Sequence, residues 1–334
     1  MKNIFQFEIH SMSFPRRWES HQNSYIFQVD TCIRRYDAKV FRNCINYLLL
    51  ICTLLLSTEL QAENKNGNIF SSVSNFQLPE KLTWCGETIP LDDPLIRERA
   101  EREFYLLLQQ PGQIMLYLKR SGRYFPMYER ILKSEGMPTD IKYLSVAESA
   151  LYMSRSSAGA LGLWQFIRST GKRYGLHISK WVDERKHPEK STRAAAKYLK
   201  SLKNEFGHWT LAAAAYNMGE NGLRSNLKFQ TKNNYFDLYL NSETSRYIFR
   251  IVAIKYLLEN HEKFGIFLKK VSFYKAYKSK TITVKTRIRD LSKWAKSYGT
   301  TYKKIKLLNP WILRRELRPP LSKKPYEIKI PVGW

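Results

Sequence analysis

Acidic residues are scarce in this sequence, which has 29 Asp and Glu against 56 Lys and Arg among its 334 residues. The net charge of +27 indicates a polyanionic partner, because the summed field of so many cations attracts nucleic acid, anionic lipid or an acidic cell-wall polymer. Charge alone does not choose among these three. Hydrophobic residues make up 43% of the chain, which excludes disorder throughout and is enough for one sizeable domain plus a smaller one.

Cysteine is also scarce, and three of the four cysteines fall before residue 62. The same region holds an apolar run, INYLLLICTLLL at residues 45–56, with basic residues before it and Ala62 after it, a pattern typical of a signal peptide. The run is shorter than the ~20 residues that span a bilayer, although an uncleaved membrane anchor stays open as the alternative. We therefore expect an exported protein of the periplasm or cell envelope, with residues 1–62 as N-terminal extension and signal peptide or anchor.

Removal of that segment would leave Cys85 as the one cysteine, so we expect neither an internal disulfide nor a thiolate metal site. Residues 63–75 are polar and small, and the chain up to residue 94 is then proline-rich. This composition predicts a linker and an irregular lead-in over residues 63–94.

Strand-like alternation is lacking between residues 95 and 262, where helical periodicity dominates. Ser191 is the predicted cap of a helix that Gly207 ends, and Ser242 is the predicted cap of a long helix after it. Further helices are predicted at residues 95–110, 112–119, 128–134, 140 to about 151, and 209–215. The sequence thus predicts a helical domain over residues 95–262.

The C-terminal part differs in charge and in pattern. Residues 263–334 hold 20 Lys and Arg against three acids, a net charge of +17. Two strand candidates, residues 281–285 and 326–332, flank two helical segments. The sequence therefore predicts a small βααβ module over residues 280–334, separate from the helical domain.

Glu148 interrupts an apolar stripe, because Ile141, Leu144 and Leu151 fall on the same face of a helix. A carboxylate partly removed from water has its charged form disfavoured, so its pKa should rise towards the range useful to a general acid. A buried glutamate neutralised by an arginine such as Arg155 is the alternative. The stretch SSAGALGLWQF follows, with glycines that let backbone approach a ligand and an amide, Gln165, between two aromatic residues that suits a sugar.

Four stretches together resemble the lytic transglycosylase family, and most of all its membrane-bound type D branch. They are ESALYMSRSSAGALGLWQF, WVDERKHPEKSTRAAAKYL, LAAAAYNMGENGL and ETSRYI, and the resemblance covers roughly residues 76–262. It implies a mainly α, lysozyme-like fold of the goose-type and soluble lytic transglycosylase kind, with Glu148 as the single catalytic acid and base and with no metal or cofactor. The implied substrate-binding and orienting residues are Ser156, Gly162, Leu163, Gln165, Tyr216, Asn217 and Tyr247.

The resemblance also implies the reaction. The enzyme would cleave the β-1,4 bond between N-acetylmuramic acid and N-acetylglucosamine in peptidoglycan glycan strands without water, and would leave a 1,6-anhydromuramoyl end. Two departures, Arg168 in place of proline and Leu151-Tyr152-Met153 in place of an aromatic-Asn-Pro sequence, concern the substrate subsites. The tail resembles, more weakly, a LysM module, although Thr286 to Arg289 stand where that fold has a Gly-Asp pair.

Three alternatives stay open. A lysozyme-type hydrolase would need a second carboxylate, for which the candidates are Asp183, Glu184, Glu189, Glu205 and, best placed, Glu220. A non-catalytic cell-wall-binding protein is the second alternative. Nucleic-acid binding is disfavoured by the export signal and by the lack of a binding motif.

Overall fold

The computed structural model describes residues 43, 45–48, 51, 76–269, 272–320 and 325–333. The chain divides into two units, residues 1–67 and 68–334, and all the elements named below belong to the second. Most of the predicted signal segment and the predicted linker up to residue 75 lie outside the described residues. None of the helices within the described ranges has the length and the apolar character that crossing a bilayer requires.

A short hairpin opens the helical domain. Strands β1 (Thr83–Trp84) and β2 (Glu87–Thr88) pair antiparallel, which the irregular lead-in predicted from the sequence did not include. The Trp84 side chain is fully buried, and its indole N–H donates to the backbone carbonyl of Asp140 at 3.1 Å. The hairpin therefore ties the lead-in to the segment that precedes Glu148.

Two long helices follow, α1 (Pro94–Leu108) and α2 (Pro111–Ser134). The sequence predicts two separate segments, 112–119 and 128–134, where the structure has the single helix α2. Pro126 lacks the N–H of a regular helix, but Leu118, Tyr128 and Leu132 on either side of it are buried in one core, and this packing keeps the helix continuous.

The remaining helices of the domain surround Glu148 and the segments after it. They are α3 (Lys142–Ser149), α4 (Arg168–Arg173), α5 (Pro188–Phe206), α6 (Trp209–Met218), α7 (Glu220–Gln230) and α8 (Thr244–Glu259). Helix α8 packs against α1, α3 and α6, and it is buried on nearly all sides, through residues such as Ile248, Phe249, Ile251, Val252 and Ile254. The centre of the domain is therefore one helix that both carries the core and reaches the cleft described below.

Two predicted caps are wrong and one helix stop is confirmed. Helix α5 begins at Pro188 with His187 as its cap, so Ser191 lies inside the first turns, where its hydroxyl donates to the His187 carbonyl. Helix α8 begins at Thr244 with Glu243 as its cap residue, and the side chain that accepts from the Thr244 amide, at 2.9 Å, is that of Asn241 and not that of Ser242. Gly207 ends α5 in the left-handed conformation, as predicted.

The C-terminal module consists of β3 (Ser279–Val284), α9 (Leu291–Ser297), α10 (Tyr302–Leu308) and β4 (Tyr326–Pro331). The strands pair antiparallel from Ser279 opposite Pro331 to Val284 opposite Tyr326. The module has an apolar core of its own, and Val182 from the helical domain is buried in that core. The predicted fold class, a mainly α domain plus a small βααβ module, is confirmed.

Candidate active site

A cleft of about 580 Å³ opens beside Glu148. Three parts of the chain line it: residues 156–158, 160 and 165–167 of the turn after α3, residues 216–220 where α6 meets α7, and Glu243 just before α8. Thr170 of α4 and Tyr198 of α5 complete the wall. The motifs that are far apart in the sequence therefore meet around one carboxylate.

Glu148 is the last residue but one of α3. The sequence analysis extended this helix to about Leu151, but Ala150 and Leu151 both take left-handed backbone angles, with φ of 53° and 54°, and end it at Ser149. Left-handed backbone angles cost free energy in residues other than glycine, and such strain concentrates at functional sites. The early end leaves Glu148 half-buried in the final turn, next to the cleft.

The partner of the Glu148 carboxyl is Tyr247, whose hydroxyl donates a hydrogen bond to it from α8. The arginine considered in the sequence analysis, Arg155, is exposed, and its backbone forms a bridge with Leu161. Tyr247 is itself buried, and burial raises the pKa of its hydroxyl well above the usual value, so it stays a neutral donor.

Burial raises the pKa of Glu148 to about 7, and three more groups adjust it. The hydrogen bond from Tyr247 lowers this pKa, the negative charge of Glu243 raises it, and Arg250 lowers it. Desolvation dominates because the charged form loses more from leaving water than one hydroxyl returns. Near pH 7 the group can therefore give up a proton and take one back, which acid and base catalysis by a single residue requires.

The turn from Ser156 to Phe166 forms one wall of the cleft. The Ser156 hydroxyl accepts from the Ala160 amide at 3.0 Å, and the Gln165 side-chain amide donates to the Gly162 carbonyl at 2.7 Å and to the Ser154 carbonyl at 3.2 Å. These bonds are local, so they fix the shape of the turn while Ser156 and Gln165 line the cleft.

Two other predicted substrate-binding residues lie behind this wall instead of in it. Gly162 has a φ of +86°, and a β-carbon there would come within 2.1 Å of the Arg185 carbonyl oxygen, so only glycine fits. The Leu163 side chain is fully buried in the core, and its carbonyl accepts from the hydroxyls of Ser145 and Ser149. Both residues shape the turn: Gly162 has no side chain to offer a sugar, and the Leu163 side chain is buried in the core.

The opposite wall holds the Tyr216-Asn217 pair. The Tyr216 hydroxyl donates to the Trp164 carbonyl at 2.6 Å, which links this wall to the turn. Asn217 accepts from the Thr244 hydroxyl at 2.7 Å and donates to Glu243 at 3.2 Å, so the side chains at the start of α8 are tied to the end of α6. Both residues line the cleft, in agreement with the sequence analysis.

Two further carboxylates line the cleft. Glu220 accepts from the Tyr198 hydroxyl at 2.7 Å and pairs with Arg173 at 2.5 Å. Although burial acts in the opposite sense, these contacts hold the pKa of Glu220 below its usual range, so it is ionised at neutral pH. The second of these carboxylates is Glu243, which the sequence analysis missed. It lies four residues before Tyr247, and this spacing, which puts the two residues on the same helical face, was the signal that could have placed Glu243 at the cleft.

The other candidates for a second carboxylate lie outside the cleft lining and are engaged elsewhere. Their partners are Arg185 for Asp183, at 2.7 Å, Lys190 for Glu184, at 2.5 Å, Lys329 for Glu189, at 2.9 Å, and Arg224 for Glu205. Asp183 and Glu184 thus serve local ion pairs. Within the described residues, no group of three or more His, Cys, Asp or Glu side chains could hold a metal ion.

The family model described as Transglycosylase SLT domain matches residues 126–238. A second model, described as the soluble lytic transglycosylase C-terminal LysM-like domain, matches residues 280–333. The resemblance to lytic transglycosylases is thus confirmed. The SLT domain match contains Glu148, Gln165 and Asn217 and ends before Glu243 and Tyr247, which the structure brings to the same cleft.

Curated relatives match part of the chain. The membrane-bound lytic murein transglycosylase D of Escherichia coli K12 is 33% identical over 141 residues, which are 40% of this chain and 31% of the relative. The peptidoglycan transglycosylase gp16 of phage T7 is 34% identical over 104 residues, 30% of this chain and 8% of the relative. The chain thus spans less than a third of the length of either protein.

Two solved structures are also similar. The lytic transglycosylase Slt of Pseudomonas aeruginosa has 21% identity and a TM-score of 0.34, over 45% of this chain and 26% of its own. The 70 kDa soluble lytic transglycosylase of Escherichia coli has 16% identity and a TM-score of 0.37, over 67% of this chain and 47% of its own. At these TM-scores neither structure supports an argument about this chain, so the resemblance to lytic transglycosylases rests on the SLT domain match.

The raised pKa of Glu148 predicts a pH-dependent gain in stability for Glu148→Gln. A carboxyl whose folded-state pKa is raised from 4.5 to about 7 costs stability once the pH exceeds its unfolded value. At pH 8 the variant should be more stable by up to about 3 kcal/mol, at about 1.4 kcal/mol per pKa unit, and below pH 4 the difference should vanish. Urea unfolding at pH 4 and pH 8 measures both.

Glu220→Gln is the matched control, with the opposite sign. Its carboxylate has a lowered pKa in the folded state, so it stabilises the fold above its unfolded pKa, and this contribution is lost as the pH falls. The Gln variant should therefore be less stable than the parent at pH 8 and equal to it at low pH. The burial of Glu148 would be contradicted if the stability difference between Glu148→Gln and the parent were no larger at pH 8 than at pH 4.

Proposed function

We propose that this chain is a peptidoglycan lytic transglycosylase. It cleaves the β-1,4 bond between N-acetylmuramic acid and N-acetylglucosamine and forms 1,6-anhydromuramoyl ends, with Glu148 as the one proton-transfer group. The observation that carries the proposal is a half-buried carboxyl in the cleft of an SLT domain, bonded to Tyr247 and with a pKa of about 7. The names of the curated relatives support the reaction class.

In the first step, the protonated Glu148 gives its proton to the glycosidic oxygen, and the bond to the muramoyl anomeric carbon breaks. The substrate's own acetamido group supports the positive charge that develops there, so no protein nucleophile is needed. The Glu148 carboxylate then takes the proton of the muramoyl 6-hydroxyl, whose oxygen closes the anhydro ring. The proton count returns to its start and water is not consumed.

The remaining residues of the cleft bind and orient in this scheme. Tyr247 holds the Glu148 carboxyl and stabilises its charged form between the two steps. Ser156, Gln165, Tyr216 and Asn217 present polar atoms to the sugar from the two walls. The ring closure is intramolecular, so correct orientation of the 6-hydroxyl in this cleft can contribute ~7 kcal/mol or more to the lowering of the barrier.

We further propose peptidoglycan glycan strands as the partner and the periplasm or cell envelope as the location. The SLT and LysM-like matches support wall binding, and the curated relative is named a membrane-bound murein transglycosylase. The excess of 27 positive charges is compatible with an anionic wall polymer. Attachment to the membrane through residues 45–56 stays a prediction.

A hydrolase is the second candidate, since Glu220 and Glu243 lie in the same cleft as Glu148. A hydrolase would use one of them to activate water or to attack the sugar. The contacts favour the transglycosylase, because Glu220 is engaged by Arg173 and Tyr198, and Glu243 by Asn217.

Digestion of purified peptidoglycan separates these two functions. The products of the full-length protein should lack one water relative to hydrolysis products, since the 6-hydroxyl takes the place of water. Mass spectrometry of the released muropeptides measures this difference. Reducing-end muramic acid as the main product would refute the proposal, and Glu148→Gln without any loss of lysis would favour the non-catalytic wall-binding alternative.

The pH dependence of kcat/KM should follow Glu148, which must be protonated in the free enzyme. Activity is expected to fall as the pH rises through about 7. Tyr247→Phe removes a hydrogen bond that lowers this pKa, so the alkaline limb should move to higher pH while the plateau falls by about ten- to a hundredfold, the cost of a lost charge-assisted hydrogen bond. A limb that moves to lower pH would contradict the assignment.

Glu220→Gln and Glu243→Gln test the need for a second carboxylate. Glu220→Gln should keep most of the lytic activity and the anhydro product. Glu243→Gln removes a negative charge that raises the Glu148 pKa, so it should move the alkaline limb of the pH profile to lower pH while the anhydro product persists. Loss of activity in either variant to the level of Glu148→Gln would instead identify that residue as the second carboxylate of a hydrolase.

A further inference from the structure

The C-terminal module is joined to the helical domain at the segment just before α5. Val182 is buried in the module's core and pairs with Ile312 in an antiparallel bridge. Two backbone hydrogen bonds flank it, from the Asp183 amide to the Trp311 carbonyl at 2.8 Å and from the Leu313 amide to the Trp181 carbonyl at 2.7 Å. The module therefore holds residues 181–183 as a short extended segment.

Asp183, in the same segment, fixes the side chain of Arg185. Both residues are buried, with exposures of 5% and 6%. The guanidinium donates from Nε to one carboxylate oxygen at 3.0 Å and from Nη2 to the other at 2.7 Å. This two-point contact leaves the guanidinium one orientation and Nη1 free to bind elsewhere.

Nη1 of Arg185 binds the cleft wall from behind. It donates to the Gly159 carbonyl at 3.0 Å and to the Phe166 carbonyl at 3.1 Å, at two separated points of the turn that lines the cleft. Gly162 lies against the Arg185 backbone with no room for a side chain. Arg185 thus contacts the turn at three points, two through its guanidinium and one through its backbone, and it does not line the cleft itself.

We propose that the C-terminal module and Arg185 position the sugar-facing turn: the module holds residues 181–183, Asp183 orients Arg185, and Arg185 keeps the turn from residue 159 to residue 166 in its binding shape. The inference rests on the proposed function for its effect on substrate. It gives the module a role in the cleft that is independent of any glycan that the module binds. Arg185 is a positioning residue here, since it acts through the turn.

Arg185→Lys is the first test, made in the full-length chain. Lysine keeps the charge beside Asp183 but lacks the fork that reaches the carboxylate and both carbonyls together. The Leu161 amide donates to the Phe166 carbonyl and the Gly162 amide to the Ser154 carbonyl. Hydrogen exchange at both amides should accelerate at least about tenfold, the factor that corresponds to one charge-assisted hydrogen bond. The KM for a soluble glycan oligomer should rise by a similar factor, with the pH profile that reports Glu148 unmoved.

Glu184→Gln is the matched control. Glu184 directly follows that segment and is equally buried, but its contacts go to Lys190 and to the His177 amide, away from the turn. This variant should lose thermal stability without accelerating exchange at Leu161 and Gly162 and without raising KM. Equal acceleration in both variants would show only general loosening and would overturn the proposal.

Val182→Ser tests the part played by the module. A serine in the module's apolar core should weaken docking, which faster exchange of the Leu313 amide reports. Exchange at Leu161 and Gly162 should then accelerate too, although neither Val182 nor the module lines the cleft. Faster exchange at Leu313 with an unchanged turn would overturn the proposal.

Hydrogen exchange tests the positioning proposal without an activity assay. If digestion yields no anhydro products, the proposed function fails, while the exchange rates still show whether Arg185 and the module hold the turn. If anhydro products form but exchange at Leu161 and Gly162 is unchanged in Arg185→Lys, only the positioning proposal fails.

Discussion

The arrangement around Glu148 depends on one contact, the hydrogen bond from Tyr247 to a carboxyl that is partly withdrawn from water. A buried carboxylate without a partner is costly, and a carboxylate paired with a cation would ionise well below pH 7. A neutral tyrosine avoids both outcomes. It offers one hydrogen bond to either charge state of the glutamate and therefore leaves the pKa near neutrality.

That contact explains why α8 is the centre of the domain. A helix buried on nearly all sides is held rigidly, so the side chains at its N-terminal end are presented to the cleft without freedom to drift. Tyr247 reaches Glu148, Thr244 reaches Asn217, and Glu243 lies in the cleft wall. The part of the helix that carries the core and the part that faces substrate are consecutive turns of one element.

The sequence predicts much of this site but not its carboxylate chemistry in full. Glu148, Ser156, Gln165, Tyr216 and Asn217 were all expected at the cleft and lie there, because local motifs carry them. Glu243 was missed: its spacing from Tyr247 puts the two residues on one helical face, but a glutamate in the first turn of a predicted helix has the same local pattern whether it is solvated or faces a cleft. The ion pair of Glu220 with Arg173 joins residues 47 positions apart and leaves no local pattern either.

The limits of the fold prediction have the same physical origin. The local propensity of Pro126 favours a break in the helix, but burial of the residues around it keeps helix α2 continuous. Serine is a residue type typical of helix caps, but helix α5 begins one turn before Ser191, with His187 as its cap and Pro188 as its first residue. The strands of the C-terminal module were found because alternation is a local signal, whereas the docking of Val182 into that module is a tertiary fact with no such signal.

The charge of the chain adds a last constraint on the site. A net charge of +27 favours the ionised form of every carboxyl, so the field of the whole protein tends to lower the pKa of Glu148. Two features oppose it locally: burial, and the negative charge of Glu243 within the same cleft. Salt screens distant exposed cations over ~8 Å at physiological ionic strength, while a neighbour inside the cleft is screened much less. The chain can therefore be strongly basic towards a wall polymer and still keep the pKa of Glu148 near 7, because the groups that set that pKa are the few nearest to it.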